Sequence, residues 1–146
     1  MVNTIAPYHL TRLLLPRLAQ DGRVVNLSSA AQAPVDLQVL TQGGKLSDGQ
    51  AYAQSKLALT MWSNQMAREL GNAGPVVVAV NPGSFLGTKM VKDAYGSSGN
   101  DIGIGVQILV QAATSDAFAA ASGRPAGSDR VAGPDGSRWR AARTAW

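Results

Sequence analysis

Arg23-Val24-Val25-Asn26-Leu27-Ser28-Ser29 is the stretch on which the fold class turns. It follows an Asp21-Gly22 turn, and residues 23–27 are short and rich in β-branched side chains, as a buried parallel strand should be. A second such run, Val76-Val77-Val78-Ala79-Val80, is apolar at every position and leads into Asn81-Pro82-Gly83. No alternation marks a wet face on it, so both faces need covering. The intervening residues from Tyr52 to about Gly71 predict a helix, stopped by Gly71, Asn72 and Gly74-Pro75. Buried strands separated by a helix predict an α/β chain with a parallel sheet. In open sheets of that class, function gathers at the carboxyl ends of the strands. Ser28-Ser29 and Asn81-Pro82-Gly83 stand there.

The helix between the strands opens with Ala51-Tyr52-Ala53-Gln54-Ser55-Lys56. Tyr52 and Lys56 are four apart, one turn along the same helical face. A free phenol holds its proton at neutral pH, and a nearby ammonium favours the phenolate. A tyrosine tuned this way can exchange a proton with a substrate oxygen as a general acid or base. A serine at a strand's carboxyl end is well placed to hydrogen-bond a substrate carbonyl. Met61, Met66 and Leu70 are core candidates, and Trp62 reads as packing.

Around this centre, Asn3 to Ala19 predicts a helix with an apolar stripe of Ile5, Leu10, Leu13, Leu14, Leu15 and Leu18. Pro7 fits if it lies in the first turn. Residues 30–50 read as a loop with Pro34, Gly43, Gly44 and Gly49. Ser84 to Asn100 reads as a long loop of the lid or binding type, carrying Thr88, Lys89 and Met90. Ile102 to Ala121 predicts a last helix, and its Gly103-Ile104-Gly105 follows no strand, so it carries no weight as a dinucleotide fingerprint. From Arg124 the composition changes: Arg, Ala, Gly and Pro make up 15 of the last 23 residues, with no Leu, Ile, Met or Phe to bury. The chain therefore divides into a domain over 1–123 and a tail over 124–146, either disordered or translated out of register.

Composition excludes several functions. A chain of 146 residues holds one domain at most. It has no cysteine, so it has neither disulfide nor thiolate chemistry. With His9 as the single histidine, no metal site is expected and a Ser-His-Asp hydrolase is disfavoured. The net charge of +4 invites a nucleic-acid reading, but the tail holds +3 of it and the first 123 residues only +1. No basic face with interleaved aromatics appears in the body, so no nucleic-acid partner is expected. No apolar run approaches a membrane span, and the amino-terminal stretch is broken by Arg12, Pro16 and Arg17. A cytoplasmic protein without a membrane partner is the expectation.

A strand ending in Asn26-Leu27-Ser28-Ser29, the Tyr52-x-x-x-Lys56 helix and a strand ending in Asn81-Pro82-Gly83 follow one another in that order. This set resembles the short-chain dehydrogenase/reductase family. Val2-Asn3 before a leucine-rich helix with Leu10-Thr11 is similar to the stretch carrying that family's active-site asparagine. Tyr52 lies 23 residues after Ser29, an interval that resembles the retinol-dehydrogenase-like branch. The resemblance covers roughly residues 2–123 and implies a partial Rossmann-like, doubly wound parallel sheet with two strands retained and helices flanking it. It implies a tetrad. Tyr52 would be the acid/base. Lys56 would assist Tyr52 and hold the nicotinamide ribose. Ser29 would polarise the substrate carbonyl, and Asn3 would anchor a water relay to Lys56. Pro82 and Gly83 would line the nicotinamide, with Thr88 contacting its carboxamide or phosphate. The implied reaction is reversible hydride transfer between NAD or NADP and a small alcohol or carbonyl compound.

Three departures shape the expectation. The family's opening, with its glycine-rich turn and first four strands, has no counterpart here. Thr88 lies one residue further from Pro82 than the commonest spacing, with Gly87 in the usual place. Ser122-Gly123-Arg124 resembles the lead into the family's last strand, but Pro125-Ala126-Gly127 follows. The expectation is a truncated oxidoreductase inactive on its own, with apolar helix faces left exposed. The alternative is a non-catalytic oligomerisation or binding module, through the helices at 3–19 and 52–71.

Overall fold

The computed structural model describes residues 2–83, 86–96 and 98–118. The expected tail at 124–146, the last residues of the predicted 102–121 helix and the Ser122-Gly123 lead all lie outside them. Helix α1 spans Ile5–Leu14, strand β1 Arg23–Leu27, helix α2 Leu37–Gln42 and helix α3 Asp48–Leu70. Strand β2 spans Val76–Val80, helix α4 Lys89–Tyr95 and helix α5 Ile102–Thr114.

The two strands pair in parallel, with Arg23 opposite Val76 and Leu27 opposite Val80. Alternation along each strand divides their side chains between two layers. Val24 and Val77 pack with Met66, Ala67, Trp62 and Leu70 of α3 and with Tyr8 of α1. Val25, Val76, Val78 and Val80 pack with Ile104, Ile108, Leu109 and Ala112 of α5 and with Phe118. Helices on both faces explain why the strands read as unbroken apolar runs. The chain is an α/β sandwich around a two-stranded parallel sheet, a partial Rossmann-like arrangement.

Polar contacts fix how the layers sit. Asn26, on the α3 side, donates from Nδ2 to Ser63 Oγ at 2.9 Å, and Ser63 donates to Leu59 O at 2.7 Å. Arg23, on the α5 side, reaches the end of that helix and donates from Nη1 to Ala112 O, at 3.2 Å, and to Ser115 O. A cation there complements the carbonyl end of the helix dipole.

Several expected boundaries move, each for a local reason. The first helix does not run to Ala19. It ends at Leu14 and tightens into a 3₁₀ turn over Leu15–Arg17, where Pro16 cannot donate to an α-helical ladder. Its stripe is not a buried one: Leu13 is 76% exposed, and Ile5, Leu10 and Leu14 are also exposed. Tyr8 and Thr11 make the buried face instead, with Tyr8 edge-on to Trp62 at 5.4 Å between ring centroids. The expected 30–50 loop contains α2, capped by Asp36, whose carboxylate accepts from Gln38 and Val39 N–H groups. Helix α3 starts at Asp48 because Ser47 and Gln50 form a capping box. The expected loop before Asn100 contains α4, and α5 stops at Thr114, before a 3₁₀ turn over Asp116–Phe118. Met66 is buried and Leu70 packs beside it, but Met61 is 46% exposed.

Candidate active site

Because β1 and β2 are parallel neighbours in register, both leave the sheet at the same end. Ser28 extends the ladder by one bond, donating its N–H to Val80 O at 2.8 Å. The turn Ser28-Ser29 therefore stands beside Asn81-Pro82-Gly83, at the carboxyl end of the sheet. Gly83 has φ +121°, a backbone conformation that favours glycine, and its N–H meets Asn81 Oδ1 at 3.3 Å.

Helix α3 crosses this end and delivers Lys56. The Lys56 ammonium donates to Leu27 O, the last carbonyl of β1, at 2.7 Å. It lies 5.5 Å from the centroid of the Tyr52 ring, one helical turn back. Lys56 is only 9% exposed, and burial lowers its pKa below the ordinary lysine value of 10.5. The cause is loss of water around the charged form. The predicted pair is thus assembled, and the backbone of β1 is what holds it.

Around Lys56 a chain of hydroxyls fastens the strand to the helix. Thr60, one turn beyond Lys56, donates to Lys56 O at 2.9 Å. The buried Ser28 hydroxyl shares a 2.7 Å hydrogen bond with Thr60 Oγ1, and its oxygen also lies 3.4 Å from Lys56 O. Gln32 Nε2 donates in turn to Ser28 Oγ at 3.2 Å and to Ser29 O at 2.9 Å. Ser29 Oγ accepts the Ala31 N–H at 3.1 Å, which leaves its own proton to give. Nearer the start of α3, Ala33 N–H meets Ala53 O at 3.3 Å, and Asp36 N–H meets Gln54 Oε1 at 3.0 Å. The segment after β1 is thereby tied down alongside Tyr52.

The other expected residues fall as follows. Asn3 donates from Nδ2 to Ser55 Oγ at 3.3 Å, and Thr4 Oγ1 donates to Ser55 O at 3.0 Å. Asn3 thus sits against the residue before Lys56, with no direct bond to Lys56 itself. No hydrogen bond among the described residues joins Ser29 to Tyr52 or Lys56. Thr88 is the N-cap of α4 and accepts the Val91 N–H at 3.4 Å. Gly99 precedes α5, and Gly103 and Gly105 lie in its first turn, but Asp101 closes that helix end: its carboxylate accepts the Gly103 N–H at 2.8 Å and opposes an anion. The use of Gly105 is close packing, since a methyl group there would stand 2.5 Å from Leu86 Cδ1 and 3.3 Å from Pro82 O. Gln32 and Thr60 join the site without having stood out in the sequence. Thr60 carried a signal, four residues past Lys56, whereas Gln32 carried none.

No helix among the described residues is long and apolar enough to cross a membrane. The model of the short chain dehydrogenase family matches residues 1–97. The chain is 37% identical over 87 residues to human "Retinol dehydrogenase 13", covering 56% of this chain and 26% of the relative. It is 40% identical over 88 residues to bovine "Dehydrogenase/reductase SDR family member 13", covering 56% and 23%. It is 34% identical over 105 residues to "Ketoacyl reductase HetN" of Nostoc sp., covering 70% and 33%. The chain spans about a quarter to a third of the length of these relatives. Matched over most of its length, with tyrosine, lysine and strand-end serine on one end of a parallel sheet, the chain belongs to the short chain dehydrogenase family.

Proposed function

We propose that this chain carries the acid/base part of an NAD(P)-dependent oxidoreductase that interconverts a small alcohol and its carbonyl compound. The observation that carries the reading is the partly buried Lys56 ammonium, bonded to Leu27 O at 2.7 Å and 5.5 Å from the centroid of the Tyr52 ring. In this reading Tyr52 exchanges a proton with the substrate oxygen. The Lys56 charge, poorly screened by water, stabilises the negative charge that develops on the phenolic oxygen. Ser29 donates a hydrogen bond from its hydroxyl to the same substrate oxygen and keeps its proton, and Asn3 steadies the Lys56 turn through Ser55.

The residues present fit one end of the cofactor. Lys56 keeps two ammonium protons beyond its bond to Leu27 O, and with the Tyr52 hydroxyl these suit ribose hydroxyls. Pro82 and Gly83 would line the nicotinamide, with Thr88 near its carboxamide end. A bound nicotinamide would supply the hydride donor or acceptor. Among the described residues the pyrophosphate finds no such fit. The glycine-led helix α5 follows no strand, and Asp101 is at its N-terminus. We therefore expect the 146 residues alone to turn over NAD(P)H at background, and a measurable rate would refute that expectation.

The exposure of Leu10, Leu13 and Leu14 on α1 and Met61 on α3 favours a second reading, an assembly module. One substitution separates the two. The chain is grafted into a full-length family member in place of its matching third. The oxidoreductase reading expects NAD(P)H oxidation by the graft, and Tyr52→Phe to lower kcat by about 10²- to 10⁴-fold. A folded graft whose rate ignores Tyr52→Phe would overturn it. The assembly reading expects self-association of the chain by sedimentation, unchanged by Tyr52→Phe.

A further inference from the structure

We infer that Gln32 is a positioning residue: its carboxamide locks the Ser28-Ser29 turn onto α3 and so fixes where the Ser29 hydroxyl stands. The mechanical half of this inference rests on hydrogen bonds alone. Its catalytic consequence rests on the acid/base reading of Tyr52, Lys56 and Ser29 given above.

The direction of the amide is settled by its partners. Ser29 O can only accept, so the nitrogen of Gln32 must face it, and the distance is 2.9 Å. The same nitrogen meets Ser28 Oγ at 3.2 Å and lies 3.5 Å from Thr60 Oγ1. Gln32 therefore reaches back over its own turn and joins the Ser28 and Thr60 hydroxyls that meet at Lys56 O. In this orientation Gln32 Oε1 is buried with no hydrogen-bond partner among the described residues. A buried carbonyl left unpaired costs free energy. The amide nonetheless stands with its nitrogen on the turn.

Without Gln32, the one restraint left on Ser29 is its Oγ contact with the Ala31 N–H, a bond inside an exposed turn that would open more often once the turn is unlocked. The peptide of Ser29 would then be free to rotate, because its carbonyl has no other hydrogen-bond partner among the described residues. Ser28 would stay in place, held by Val80 O and Thr60. Gln32 thus acts on Ser29 rather than on the sheet.

The chain has no cysteine, so Ser29→Cys in the full chain introduces a single thiol. Its rate of reaction with 4,4′-dipyridyl disulfide is followed against pH, alone and with Gln32→Leu or Gln32→Glu. Each rate is divided by that of the Ser29→Cys parent at the same pH. Gln32→Leu should raise the ratio at least threefold at every pH. Gln32→Glu should raise it equally near neutrality and return it toward one as the carboxyl protonates and again donates to the residue 29 carbonyl. A ratio near one throughout would overturn the inference. So would a raised ratio for Gln32→Glu that ignores pH, since that would show volume filling alone. A second measurement needs no cysteine: in Gln32→Leu, hydrogen exchange of the Ala31 amide should quicken severalfold while that of Val78 holds. An unchanged Ala31 rate would overturn the inference. Neither readout uses turnover, so an inactive graft would end the acid/base reading without touching this result.

Discussion

Ser63→Ala removes one oxygen from the contact that spaces β1 against α3. Ser63 is 0% exposed, accepts from Asn26 Nδ2 at 2.9 Å and donates to Leu59 O at 2.7 Å. Leu59 O loses little, because it still accepts the helical N–H of residue 63. Asn26 loses more. Its side chain is buried, and Ser63 is the partner its Nδ2 has in the structure. An orphaned buried donor costs about 1–3 kcal/mol. The cavity left by a single oxygen adds little. At about 2 kcal/mol the folded-to-unfolded ratio falls by roughly 30-fold. With a urea slope of about 2 kcal/mol/M, the midpoint drops by about 1 M. Urea unfolding of the wild type, Ser63→Ala, Asn26→Leu and the double variant completes a cycle. Removing both polar groups should recover most of the loss, leaving a coupling energy of about 1–2 kcal/mol. A loss under about 0.5 kcal/mol for Ser63→Ala, with the slope unchanged, would refute the reasoning. It would mean that Asn26 finds another partner and that this contact does not set the spacing.

Ser47→Ala removes half of the capping box and should destabilise α3 by about 1 kcal/mol, with faster hydrogen exchange at the Gln50 amide, whose acceptor is Ser47 Oγ. Arg23→Met strips the donors from Ala112 O and Ser115 O, so the last turn of α5 should lose about 1 kcal/mol and its amides exchange first. Lys56→Met tests a pH dependence. Burial lowers the folded pKa of Lys56 below 10.5, so in alkaline solution the unfolded chain binds more protons than the folded one. The wild type should therefore gain stability over Lys56→Met as pH rises from the lowered value to 10.5, and lose that gain as pH falls. Urea midpoints of the two chains across this range measure the difference, and a flat one would count against it.

The strands and the Tyr52–Lys56 pair were legible because both are local patterns. A run such as Val76 to Val80 declares burial on two faces without knowledge of its neighbours. A spacing of four on a helix brings two side chains together wherever the helix lies. The start of α3 was legible too, in Ser47-x-x-Gln50, but glycines at 43, 44 and 49 suggested a longer loop. The stripe on α1 shows the limit of periodicity: it tells which side is apolar, not whether anything covers it, and Leu13 is left bare. The rest of the site depends on tertiary approach. Leu27 contributes a backbone carbonyl, which no side-chain pattern can announce. Gln32 acts by folding back across a turn, and Thr88 also caps α4 with its oxygen, a role its place in a long loop did not announce.

The Lys56 ammonium is half-buried and held between the Leu27 carbonyl and the Tyr52 ring. NMR titration of the Lys56 side-chain ammonium in the purified chain, assigned by its loss in Lys56→Met, tests this directly. The account predicts a midpoint below 10.5. A midpoint at or above 10.5 would show an ammonium still solvated, and the acid/base pair would lose its physical basis.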